Sequence, residues 1–204
     1  MIILNVEQRS EAWFQARLGR ITASQFSVAM SGETTKGYND LLLNTAGEII
    51  SGQVEESYSN AIMERGIELE PFARQEYNEM FGEVEEVGFC IPDESNELHE
   101  WVGVSPDGMN GGILEIKCPL IKTHLGYIKA NKLPNDYKWQ VQGQLMVTEK
   151  PYCDFMSYYP NVKPFIIRVL PDHDMIDSLT ARLKISIERI KVILSDYKKY
   201  DYEN

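Results

Sequence analysis

The sequence is poor in cysteine: three thiols, Cys90, Cys118 and Cys153, stand far apart in 204 residues. Their scatter excludes both a disulfide framework and a Cys-x2-Cys zinc site, and suits a reducing, cytoplasmic setting. No apolar run approaches the roughly 18 residues of a membrane-spanning helix. The opening MIILNVEQRSEAWF has no basic segment followed by a long apolar one, so no signal peptide is expected. Repeats, low-complexity tracts and Pro- or Ser-rich linkers are also missing, and residues 1–204 read as a single domain.

Basic residues are the other shortage. Twenty Lys+Arg against 31 Asp+Glu leave a formal charge of −11. A uniformly acidic surface would repel a nucleic acid. The excess is not uniform, however. Residues 1–116 hold 6 basic and 21 acidic side chains, whereas residues 117–204 hold 14 and 10. The acidity of the first part is either a solvated face or a metal site. The remaining composition, 43% hydrophobic and 25% charged, is that of a globular protein.

Apolar periodicity orders the elements. Ser10 caps a helix carrying Trp13, Phe14 and Leu18 that stops at Gly19, and Thr22–Met30 reads as a second short helix. Helical spacing returns over Tyr38–Ile50 and over Asn60–Phe81, where Pro71 implies a kink or two separate helices. Val84–Ile91, Trp101–Val104 and Ile113–Lys117 read as strands separated by the turns Pro106-Asp107-Gly108 and Asn110-Gly111-Gly112. Helices near Thr123–Asn131 and Asn135–Thr148 precede strands at Asp154–Tyr159 and Phe165–Leu170. The chain closes on an amphipathic helix with Ile176, Leu179, Leu183, Ile190, Leu194 and Tyr197 on one face. This order predicts an α/β (α+β) fold, a central mixed sheet flanked by helices.

The chemistry concentrates in Ser105-Pro106-Asp107-Gly108 and Ile113-Leu114-Glu115-Ile116-Lys117-Cys118-Pro119. Strand alternation puts Glu115 and Lys117 on one face and Leu114 and Ile116 on the other. A hairpin would bring Asp107 opposite Glu115. Two carboxylates and an ammonium on one surface suit Mg²⁺ or Mn²⁺, which prefer hard oxygen ligands. A lysine whose pKa the metal lowers could orient or deprotonate an attacking water. Alone, Asp-x7-Glu-x-Lys equally describes a surface ion pair beside a turn aspartate. Glu115 and Lys117 nevertheless interrupt an apolar strand, where charges are costly unless used.

Arg17, Arg20, Thr22 and Ser24 surround a glycine break and could hold a phosphate, helped by the start of the helix after Thr22, or simply cap a helix with surface arginines. Glu70 is either a third metal-side carboxylate or one more acid on a helix face. Tyr137, Gln140 and Gln144 share a helical face, with Gln142 pointing elsewhere; the amides either position water or substrate or form a plain polar face. The basic stretch Lys117–Lys138, with five lysines against one aspartate, and the last helix suit either a subunit interface or a DNA-facing surface.

Taken in order, Glu11-Ala12-Trp13-Phe14, Arg17-Leu18-Gly19, Ile21-Thr22-Ala23-Ser24, Gly66-x3-Glu70, Ser105-Pro106-Asp107-Gly108, Leu114-Glu115-Ile116-Lys117-Cys118-Pro119 and Tyr137-x2-Gln140-Val141-Gln142 strongly resemble the lambda exonuclease (YqaJ-type viral recombinase) family of the PD-(D/E)xK nuclease superfamily. The match runs from about residue 7 to 160. The resemblance implies a restriction-endonuclease-like core and a nuclease that degrades one strand of linear duplex DNA from its 5′ end. It also implies a ring-shaped homotrimer, a single-strand annealing partner and, for a phage-encoded chain, the bacterial host cytoplasm.

Carried over by motif, Asp107, Glu115 and the backbone carbonyl of Ile116 would bind Mg²⁺ (with Mn²⁺ an alternative), in a site for two ions, and Glu70 would complete the metal environment. Lys117 would act on the water. Arg17, Ser24 and Ser105 would receive the 5′-phosphate, while Tyr137, Gln140 and Gln142 support the site. Residues 91–104 match loosely and receive no role. No iron–sulfur cluster is expected, because such superfamily members use four cysteines. Two rival functions share these residues: an endonuclease or junction resolvase on the same core, and a non-catalytic DNA-binding recombination protein.

Overall fold

The computed structural model describes residues 1–54 and 61–200. Strand β1 (Ile2–Leu4), helix α1 (Glu11–Arg17) and the two-residue strand β2 (Ile21–Thr22) lead through a 3-10 turn at Ala23–Gln25 into α2 (Phe26–Ala29). Helices α3 (Lys36–Ser51) and α4 (Ala61–Phe81) follow. Four short strands come next: β3 (Phe89–Ile91), β4 (Val102–Gly103), β5 (Gly108–Met109) and β6 (Ile113–Lys117). Helix α5 (Ile121–Ala130), a 3-10 turn at Asn135–Tyr137 and α6 (Lys138–Thr148) carry the chain to β7 (Cys153–Tyr159). Strand β8 (Val162–Val169) and the long α7 (His173–Lys199) complete it.

Side chains set several helix starts by accepting otherwise orphaned N–H groups. Ser10 accepts from Trp13, Thr35 from Tyr38 and Asp172 from Met175. The main sheet runs β5-β6-β7-β8, with β6 and β7 parallel and the two outer pairs antiparallel. It is a mixed sheet flanked by helices, as the element order implies. The crossover between the parallel strands is α5 and α6.

The sheet separates two apolar clusters. On one face Leu114, Ile116 and Met156 pack with Ala73 and Tyr77 of α4. On the other, Ile113, Cys153 and Phe155 join Val141 and Leu145 of α6, Leu179 and Leu183 of α7, and Phe26. Helix α6 comes close enough for this only because residue 143 is glycine. A Cβ there would stand 2.1 Å from the Phe26 ring.

Several local expectations change. Thr22–Met30 is not one helix, because Ile21 and Thr22 pair in parallel with Val102 and Gly103. Only Phe89–Ile91 of the expected Val84–Ile91 strand pairs as one, against β1, and Glu85 makes a single bridge to Met109. Helix α4 runs unbroken through Pro71. Its expected first residue, Asn60, lies outside the described residues. On α7, Leu179, Leu183 and Ile190 are buried and Tyr197 is exposed.

Candidate active site

The β5–β6 hairpin builds the center of the site. Gly108 pairs with Leu114, so Asp107 comes opposite Glu115. The Asp107 N–H donates to the Leu114 carbonyl (3.0 Å), and Asp107 Oδ2 accepts from the Ile116 N–H (2.6 Å). Glu115 is 1% exposed, on the α6 side of the sheet. Gln140 Nε2 donates to its Oε1 and Gln144 Nε2 to its Oε2, each at 2.6 Å. Lys117 forms an ion pair with Glu115 Oε1, and its Nζ sits 5.2 Å from the Tyr137 ring centroid. Gln140 and Gln144 thus meet at one carboxylate, while Tyr137, on the same face, lies against the Lys117 that pairs with it.

Gln142 requires a correction as a residue of this cluster. It points away, donates to the Leu170 carbonyl and accepts from the Asp172 N–H. It braces the start of α7.

The electrostatics of the hairpin oppose two simultaneous negative charges. Burial and the nearby Glu115 push the Asp107 carboxyl well above its ordinary range, against the pull of Lys117 and the Ile116 N–H. Burial lowers the pKa of the Lys117 ammonium, but Glu115 and Asp107 outweigh that and hold it above the usual lysine value. Here the residue is a firmly protonated donor.

Glu70 approaches from α4, but two guanidinium groups hold its carboxylate. Arg74 binds Oε1 (2.7 Å) and Arg9 binds Oε2 (2.5 Å). Among the described residues, no three His, Cys, Asp or Glu side chains stand together as a ready ion cage. The buried Arg74 also donates through Nε to the Asp107 carbonyl (2.8 Å) and pairs with Glu86 (2.8 Å). Arg9 reaches Glu70 only through the tertiary fold, and Arg74, although i+4 from Glu70 on α4, reaches Asp107 and Glu86 the same way. A cleft of about 400 Å³ opens beside this group, lined by Met63, Gly66, Ile67, Glu70, Lys117 and Tyr137 among others.

A second cleft, of about 270 Å³, is lined by Trp13, Arg17, Arg20, Thr22, Ser24 and Glu48 among others. Arg17 stacks on the Trp13 ring at 3.9 Å and donates to Thr22 Oγ1. Burial lowers its pKa to about 10, opposed by Glu48, so it stays cationic at neutral pH. The helix start expected to help bind an anion is present but is not an α-helix. A 3-10 turn stands there, and the Thr22 N–H is already given to Gln25 Oε1.

Trp13 ties the two clefts together. Its indole N–H donates to Ser105 Oγ (2.9 Å), two residues before Asp107. Arg17 and Ser24 therefore share one cleft, while Ser105 stands at the joint between that cleft and the acidic hairpin.

Comparison with known proteins bears on this arrangement. Two crystal structures of the alkaline exonuclease LHK-Exo from Laribacter hongkongensis, one in complex with dAMP, match with TM-scores of 0.83 and 0.84. Both are 31% identical and cover 93% of this chain and 97% of theirs. A phage-related exonuclease from Haemophilus somnus 129PT shares the fold at a TM-score of 0.63 and 15% identity, over 87% of this chain and 96% of that one. "Uncharacterized protein R354" of Acanthamoeba polyphaga mimivirus is 28% identical over 167 residues, which are 74% of this chain and 29% of that protein. The chain thus spans under a third of the mimivirus protein's length. The model of the YqaJ-like viral recombinase domain matches residues 12–151. The chain belongs to the YqaJ-like viral recombinase family.

Proposed function

We propose that the protein is a metal-dependent nuclease of the lambda exonuclease type. It enters linear duplex DNA at an end, degrades one strand 5′→3′ and leaves a 3′ single strand for recombination by annealing. The observation that carries this reading is the convergence of Asp107, Glu115 and Lys117 at one hairpin, joined through Ser105 and Trp13 to a cationic cleft.

The donor chemistry fits a hard divalent cation. Buried Glu115 and part-buried Asp107 are close carboxylates whose joint charge is disfavored without a cation. Mg²⁺ commonly binds through one or two carboxylates and water, and Mn²⁺ accepts similar ligands. Asp107, Glu115 and the Ile116 carbonyl would hold the ions, with Glu70 as a further donor. Bound metal would supply Lewis acidity and charge neutralization at the scissile phosphate.

The chain's own groups do the rest. The Lys117 ammonium donates a hydrogen bond that orients the attacking water in line with the bond to be broken. Gln140 and Gln144 fix the Glu115 carboxylate so that it does not reorient during the reaction. The Arg17 guanidinium receives the terminal 5′-phosphate with Ser24 and Ser105, which sets the register of the cut. Water adds to phosphorus, the P–O3′ bond breaks, and the terminal residue leaves as a 5′-mononucleotide. The new 5′-phosphate then enters the same cleft. A homotrimeric ring and a single-strand annealing partner complete the proposal.

The test is digestion of 5′-phosphorylated linear duplex and of closed circular duplex under Mg²⁺, with and without chelator. Mononucleotides and residual single strand from the linear substrate alone, abolished by chelator, are expected. Cutting of the circle would assign an endonuclease. DNA binding without product would assign a non-catalytic role.

A further inference from the structure

The segment Gln8-Arg9-Ser10 is fixed on both sides of a strained residue. Gln8 Nε2 donates to the carbonyls of Val87 (2.8 Å) and Pro106 (3.0 Å), the latter just before Asp107. Ser10 caps α1. Between them Arg9 has φ 68°, in the left-handed region that favors glycine. Such strain persists where the surroundings over-determine it, and it is concentrated at functional positions. Here it aims a guanidinium at Glu70 Oε2, 61 residues away in sequence.

Glu70 therefore has two cationic partners of different character. The Arg74 side chain is 10% exposed and is also anchored on the Asp107 carbonyl and Glu86. The Arg9 side chain is 42% exposed, and Glu70 is its recorded ion-pair partner. A divalent ion seeking a Glu70 oxygen meets both charges and competes with them for it. The exposed contact is the cheaper one to break.

We propose that Arg9 is a positioning residue that competes with the divalent ion for Glu70, holding this carboxylate out of the ion site until metal displaces it. The proposal rests on the reading of Asp107, Glu115 and Glu70 as an ion-binding set. Removing Arg9 should therefore strengthen metal binding. A residue that served only the fold would not have that effect.

The test is calorimetric titration of Mn²⁺ into the full chain, Arg9→Gly and Arg9→Lys, with melting curves in chelator as a second readout. Glycine adopts φ 68° without strain, so Arg9→Gly should melt in chelator at or above the wild-type temperature. It should bind Mn²⁺ about fivefold more tightly, the scale of one exposed ion pair. Arg9→Lys keeps the cation and should stay within about twofold of wild type. Equal affinity in wild type and Arg9→Gly would overturn the role of Arg9 while leaving the ion site standing. Equal tightening by lysine and glycine would do the same. Absence of Mn²⁺ binding by every form would overturn the ion site and the proposal with it.

Discussion

Glu115 and Asp154 lie on neighboring parallel strands, one position out of phase, and are 1% and 2% exposed. The pairing Leu114 with Asp154 and Glu115 with Phe155 sends them to opposite faces of the sheet. Asp154 accepts two bonds from Arg168 (2.8 and 2.7 Å) and one from the Tyr77 hydroxyl (2.7 Å). Glu115 receives two neutral amides and Lys117, and lies close to a second acid, Asp107. Burial costs both carboxylates, but only one is matched by an arginine of its own. A fully paired acid serves the fold. An acid crowded by another acid and steadied by amides is the arrangement on which the proposed ion site rests.

The sharpest break in the comparison comes from Lys117→Met, which removes the ammonium from the acidic hairpin. Hydrolysis of linear duplex should fall at least about a hundredfold. Asp154→Asn should act the other way. It leaves Arg168 half matched and should lower stability by about 2 kcal/mol, the buried-pair cost discounted because Arg168 is half exposed. For a chain of this size that lowers Tm by roughly 4–8 °C, while hydrolysis by folded protein stays within about threefold of wild type.

Arg17→Ala extends the contrast to the second cleft. The preference for 5′-phosphoryl over 5′-hydroxyl ends should collapse by about tenfold, the scale of one charged hydrogen bond, with internal chemistry intact. Trp13→Phe is the mildest. It removes the indole donor to Ser105 and Gly88, should cost about 1 kcal/mol, and should weaken the end preference by about threefold.

The half of this comparison that concerns Glu115 is written in local pattern. Alternation over Ile113–Lys117 places its charges on one face, a two-segment turn places Asp107 opposite, and the i, i+3, i+7 spacing selects Tyr137, Gln140 and Gln144. That same spacing sets Gln142 apart, which the family pattern alone does not. The Asp154 half is not legible, because Tyr77 meets it across 77 residues. Arg9 was missed for the same reason, 61 residues from its acid, whereas Arg74 stands i+4 from Glu70 on one helix, a local spacing that does mark the pair. Thr22 reads as a helix start because its strand partner, Gly103, is 81 residues away. Short pairings of this kind carry too few residues to imprint a period of two.

The most direct test of the central claim pairs two measurements on Asp107→Asn: melting in chelator, and mononucleotide release from 5′-phosphorylated linear duplex under Mg²⁺. Asparagine can still accept from the Ile116 N–H and relieves a charge that burial and Glu115 disfavor. The account predicts a melting temperature at or above wild type together with loss of nucleotide release. Release at the wild-type rate by the folded variant would contradict it.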